Sequence, residues 1–117
     1  MTPDRTTAYK ILTSAELEAL ERDGTFPGSD DDLRDGFIHL STADQLAGTL
    51  DKHFAGRDDL QLAAVDLGSF GSSLKWEESR GGQLFPHLYG PLRLETVIAY
   101  GPLRRDDAGA IKLPVAG

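Results

Sequence analysis

The second half of the chain is cut into short apolar pieces by turn formers, and that punctuation constrains the fold more than any other feature. Residues 60–67 form a partly alternating apolar run dense enough for a central strand. Residues 68–73, rich in glycine and serine, then turn the chain into a second strand, Leu74-Lys75-Trp76-Glu77. Residues 94–103 read as a further strand that Pro102 ends or places at a sheet edge, and residues 104–110 as a polar turn before a short terminal segment, 111–115. Strands this short, joined by turns, pair antiparallel. Between them runs Gln83-Leu84-Phe85-Pro86-His87-Leu88-Tyr89-Gly90-Pro91-Leu92, where two prolines and a glycine forbid a long regular element. The expectation there is an ordered, irregular loop packed through Phe85, Leu88 and Tyr89.

The first half carries the helical signals. After a short strand at 8–12, Thr13 or Ser14 caps a helix running to about Arg22, whose sparse apolar positions Leu17 and Leu20 predict a surface helix. Residues 25–32 are dense in turn formers and predict a loop. Its acidic triplet Asp30-Asp31-Asp32 lacks the spacing and terminal glutamate of an EF-hand, so it is taken as solvated and no metal site is expected. Gly36-Phe37-Ile38-His39-Leu40-Ser41 is strand-like, and Ser41 or Thr42 caps a second helix over 43–54, with Leu46, Ala47, Leu50 and Phe54 on one face. Two helices, five or six strands and no repeat or linker predict one α+β domain spanning 1–117, with its core at about 8–103.

Composition narrows the function classes. The 117 residues contain no cysteine, which removes disulfides, thiolate metal sites and cysteine nucleophiles. Twelve Lys and Arg against 19 Asp and Glu give a net charge of -7, which repels phosphate backbones and anionic lipid. No basic patch offsets it, so neither nucleic acid nor membrane is expected as a partner, although structured RNA stays open. The polar start of the chain lacks the apolar core of a secretory signal, and no run approaches membrane-spanning length, so a cytoplasmic protein is the expectation.

Two of the three histidines stand out. His53, near the end of the second helix, suits a surface role beside the helix dipole. His39 lies in a strand, on the face opposite Ile38 and Leu40 and together with Phe37 and Ser41. It is either a satisfied core histidine or part of a site, since Ser41 and Thr42 open a helix whose first amides favour an anion. His87 and Tyr89 share the proline-braced loop, which either presents them to a ligand or merely ties itself to the sheet. Lys75, Trp76 and Glu77 add an aromatic surface and a carboxylate; with Trp76 facing the sheet, Glu77 would meet a sugar hydroxyl or act as a base. There is no Gly-x-Ser-x-Gly elbow, no metal spacing among the histidines and no Gly-x-Gly-x-x-Gly.

The blocks Tyr9-Lys10-Ile11-Leu12-Thr13, Gly36-Phe37-Ile38-His39-Leu40-Ser41-Thr42-Ala43-Asp44-Gln45, Lys75-Trp76-Glu77 and Leu84-Phe85-Pro86-His87-Leu88-Tyr89-Gly90-Pro91-Leu92 resemble, in order, the signature blocks of the domain of unknown function 952 family. That family is similar in fold to the ADP-ribosyltransferase superfamily, whose split, strongly bent antiparallel sheet grips NAD. The resemblance implies an ADP-ribosyltransferase-like, bent antiparallel sheet with two helices. In the tRNA 2'-phosphotransferases of that superfamily a histidine stands on an early strand and another in a His-Leu-Ser type block. Phe37-Ile38-His39-Leu40-Ser41 matches the second, and Lys10 stands where the first histidine would be, keeping a donor but losing the ring and its acceptor.

Two functional classes follow. One is a transferase acting on NAD, the cofactor the resemblance implies, with His39, Glu77 and His87 as catalytic candidates and Lys10, Ser41, Thr42, Trp76 and Tyr89 as ligand-binding candidates. The carboxylate would then stabilise an oxocarbenium-like transition state. The other is a noncatalytic module that binds a nucleotide or metabolite in the same pocket, or a partner protein through its 85–91 loop. Polar groups gathered in two rigid blocks favour a small-molecule ligand over a flat interface, and lysine at position 10 favours binding over catalysis.

Overall fold

The computed structural model describes residues 6–114, the side chain of Arg80 excepted. Its elements are β1 (Thr7–Thr13), α1 (Ser14–Asp23), β2 (Thr25–Phe26), α2 (Asp30–Asp35), β3 (Ile38–His39), α3 (Leu46–His53), β4 (Leu60–Asp66), β5 (Leu74–Glu78), β6 (Leu84–Leu88), β7 (Leu92–Arg93), β8 (Val97–Pro102), β9 (Arg104–Arg105) and β10 (Ile111–Lys112). The class is α+β, and the strands pair antiparallel. In place of one bent sheet there are two three-stranded sheets, β1-β4-β8 and β3-β6-β5, with the ribbons β2-β7 and β9-β10 beside them. The two large sheets are stitched together at one point, where Tyr9 and Ser41 exchange backbone hydrogen bonds of 2.8 and 2.9 Å.

In the β1-β4-β8 sheet, β1 and β4 are covered on both faces, while the edge strand β8 leaves Ile98 and Tyr100 exposed. Ala8, Leu12, Ala63 and Val65 pack with α1 and with Ile38, Leu40 and Leu88 of the second sheet; Tyr9, Ile11, Leu62 and Ala64 pack against Leu46 and Leu50 of α3. Burial on both faces is why β4 carries the consecutive apolar run Leu62-Ala63-Ala64-Val65. Small residues opposite large ones make the layer fit: Tyr9 faces Ala64 and Lys10 faces Ala63.

Local chemistry explains most of the elements. Thr13 and Glu16 form a reciprocal capping box that starts α1. The segment taken as a 25–32 loop contains β2 and the start of a third helix, α2, because Ser29 accepts from the Asp32 amide while the Asp32 carboxylate accepts from the Ser29 amide. Gly36 ends that helix at φ 87, a left-handed value that a side chain resists. The second expected helix begins as a 3-10 turn, Ala43–Gln45, and becomes α3 at Leu46.

The 83–92 segment departs furthest from expectation. Residues Leu84–Leu88 are the central strand of the second sheet, with Pro86 inside it. Proline is tolerated because β3 is only two residues long. The Pro86 carbonyl accepts from the Leu40 amide at 3.2 Å, past the end of β3, and the absent N–H faces that same side, so the ladder to β5 is intact. Pro102 is the last residue of the edge strand β8. Of the expected terminal segment, Val115 lies outside the described residues, as does the start of the chain through Arg5.

Candidate functional site

Where the two sheets part beyond the Tyr9 and Ser41 stitch, a cleft of about 230 Å³ opens, walled by β1, α2, β3, α3 and β6. All three histidines of the chain, His39, His53 and His87, line it. His39 and His87 are direct partners across β3 and β6, with ring centroids 5.9 Å apart. The two-residue period turns Ile38, Leu40 and Leu88 into the core and puts His39, His87 and Phe85 on the cleft side.

Asp32 organises one wall. Its side chain is 2 % exposed, and its two oxygens receive Lys10 Nζ at 2.8 Å, the Ser29 amide at 2.9 Å, the His39 amide at 3.1 Å and His39 Nδ1 at 2.6 Å. Burial works to raise its pKa, but the His39 hydrogen bond and the Lys10 ammonium outweigh it and hold the carboxyl far below the usual carboxylate range. Lys10, itself buried, also donates to the His39 carbonyl at 3.2 Å. One carboxylate therefore ties β1, the start of α2 and β3 together. A buried charge is tolerated only when so fully bonded.

His39 is held from its other side too. Its Nε2 lies 3.0 Å from Asp35 Oδ2, so both ring nitrogens face carboxylates. The Asp35 carboxyl is lowered, chiefly by its hydrogen bond to Arg34 and to a smaller extent by His39. His39 is no core histidine, since 38 % of its side chain remains exposed at the cleft.

The second constellation is His87, Glu77 and Tyr89. His87 Nδ1 lies 2.9 Å from Glu77 Oε1, and the Tyr89 hydroxyl donates to that same oxygen at 2.7 Å. Both bonds, that from Tyr89 most strongly, lower the Glu77 carboxyl, while the carboxylate raises the Tyr89 phenol. Phe37 stacks on the His87 ring at 3.9 Å and 20°. Lys75 Nζ sits 5.1 Å from the centre of the Tyr89 ring.

The remaining candidates divide. Ser41 lines the cleft, and its hydroxyl is paired with that of Thr49 at 3.0 Å. Lys10 lines the floor with its charge engaged by Asp32. Thr42 stands outside the cleft walls, where its amide donates to Gln45 Oε1 at 3.0 Å. Helix α3 meets the cleft through Thr49, Lys52 and His53 near its C-terminal end, so its first amides do not form the anion site expected beside His39. Trp76 packs against the core on the opposite face of β5 from Glu77.

Sequence reasoning passed over Asp32 and Asp35 and left His53 on the surface. The signal for Asp32 was Ser29-x-x-Asp32 followed by Gly36, a helix start and stop with six residues between them, which gives the third acid of the triplet a capping role and faces it inward. Among the described residues, no three His, Asp or Glu side chains come together to hold a metal ion. No helix among them is long and apolar enough to cross a membrane.

Fold and site together define a small α+β domain with a histidine-lined cleft between two parted sheets. The chain belongs to the family described as protein of unknown function, DUF952, which matches residues 11–100. Its fold is similar to the crystal structure of protein CC0527 from Caulobacter crescentus, at 47% identity and a TM-score of 0.82, covering 92% of this chain and 94% of that one. The solution NMR structure of CC0527 is also similar, at 47% identity and a TM-score of 0.76, with 90% of each chain covered. No curated protein matches the chain.

Proposed function

We propose that the cleft binds a nucleotide-type small molecule of the NAD or ADP-ribose class. The observation that carries this reading is the convergence of every histidine in the chain on one cleft at the parting of the two sheets. Scattered surface histidines have no reason to meet, whereas ring and hydroxyl groups gathered in one concavity are what a ligand site uses. At about 230 Å³ the cleft encloses a ring and its ribose, with the rest of a dinucleotide outside. Of the cations on its walls, Lys10 is paired with Asp32 and Arg34 with Asp31 and Asp35, which leaves Lys52 as the lining cation to meet a phosphate.

A noncatalytic binding module is the second reading, favoured by one feature: Lys10 and His39 are both tied to Asp32 and have no free role in a reaction. Titrating NAD and ADP-ribose while following the imidazole resonances tests the first reading. All three histidines should shift along one saturable curve. Unmoved resonances at millimolar NAD and ADP-ribose would remove the nucleotide reading. Trp76 fluorescence is a poor reporter because the indole faces the core.

A further inference from the structure

We infer that His87 is the proton acceptor of the cleft and Glu77 its positioning residue, a role that rests on the cleft being a ligand site. The His87 side chain is 6 % exposed and its ring is clamped by the Phe37 stack. A carboxylate only accepts, so the Glu77 oxygen at Nδ1 fixes the hydrogen of the neutral ring on Nδ1 and leaves the lone pair on Nε2. Nε2 has no protein partner among the described residues and is not sealed from solvent, and the residue lines the cleft. The carboxylate is itself held in place by the Tyr89 hydroxyl at 2.7 Å. Its depressed pKa keeps it anionic beside a ring that gains a proton.

His39 offers no such lone pair, because Asp32 and Asp35 occupy both of its nitrogens. The two histidines therefore have different tasks. His39 fixes the wall, and His87 accepts a proton. The proton comes from a water or a ribose hydroxyl bound in the cleft: its O–H bond breaks, the proton moves to Nε2, and the electron pair stays on oxygen as a nucleophile. The resulting imidazolium is paired with Glu77, so no charge is stranded.

Imidazole nitrogen NMR on the intact chain, at a pH where the ring is neutral, reads the tautomer directly. Diethyl pyrocarbonate, mapped by mass spectrometry with and without ADP-ribose, reads the nucleophilicity of Nε2. The wild type should carry hydrogen on Nδ1 and react at Nε2 of His87. Glu77→Leu should populate the other tautomer and slow modification by about tenfold, while Glu77→Gln, which keeps an accepting oxygen, should retain the wild-type pattern. Hydrogen found on Nε2 in the wild type, or equal His87 reactivity in wild type and Glu77→Leu, overturns the inference. Reactivity that ADP-ribose blocks supports both proposals. Reactivity that responds to Glu77 but not to ADP-ribose supports the His87 role and sinks the nucleotide reading.

Discussion

Replacing Lys10 by methionine isolates the buried ion pair on which the cleft wall depends. Methionine keeps an unbranched side chain of similar length and fills the slot, but removes the ammonium 2.8 Å from Asp32 Oδ2. The two side chains are 6 % and 2 % exposed, so water does not replace the lost partner. Stripping one member from a buried pair costs about 3–5 kcal/mol. Asp32 retains the Ser29 amide, the His39 amide and His39 Nδ1, which places the expected cost near the lower end, about 3 kcal/mol. Against a total of roughly 5–15 kcal/mol, that is a melting temperature lower by about 12 °C for a chain of this size.

The sign of the pH dependence supplies a second check. The folded Asp32 carboxyl lies below its ordinary value of 3.8, so its contribution to stability is complete above that value and drains away as pH falls through the depressed one. The loss runs at no more than about 1.4 kcal/mol per pH unit. Without Lys10 the folded value rises, so the variant has less to lose in acid and its deficit against wild type narrows between about pH 5 and about pH 2. Urea unfolding at several pH values measures both quantities. Removing both charges in Lys10→Met/Asp32→Leu should cost less than the sum of the single changes. Equal stabilities within about 0.5 kcal/mol at neutral pH, with a gap that ignores pH, would refute the coupling.

Two further outcomes follow from the geometry. Gly28→Ala should destabilise by about 2–3 kcal/mol, because φ there is 130 and an added Cβ would stand 2.8 Å from the Asp32 Cβ, while Gly36→Ala, at φ 87 with open space around it, should cost about 1 kcal/mol; equal melting temperatures would contradict this. Tyr89→Phe should move the Glu77 carboxyl back up toward its ordinary value, since the Tyr89 hydrogen bond is the largest cause of its depression. Carboxyl carbon NMR across the acid range follows that midpoint, and an unshifted curve would show that the bond does not form in solution.

Of the candidate residues, Lys10, His39, Ser41 and His87 line the cleft, and Thr42, Trp76, Glu77 and Tyr89 stand outside its lining. The alternation Phe37, His39, Ser41 against Ile38 and Leu40 names the two faces of a strand, and the structure puts His39 at the cleft and both aliphatics in the core. Asp32 was not readable in the same way. Three consecutive aspartates look solvated, and only the third is turned inward, by the capping turn that Ser29 starts. Pro86 misled for a related reason: the rule against proline in a central strand assumes a full-length neighbour on each side, and β3 is too short to need the missing donor.

The sequence by itself determined the α+β class, the start of α1 at Thr13 or Ser14, the central place of the 60–66 strand and the segments bearing the candidate side chains, because each follows from local periodicity, turn chemistry or blocks of residues read in order. Tertiary structure alone decided that Lys10, Asp32 and His39 form one network, that His53 shares a cleft with the other two histidines, and that Glu77 reaches His87. Lys10 meets Asp32 across 22 residues of chain, and even Asp32 with His39 and Glu77 with His87 meet only where the chain turns back on itself, which a helix or strand period does not encode.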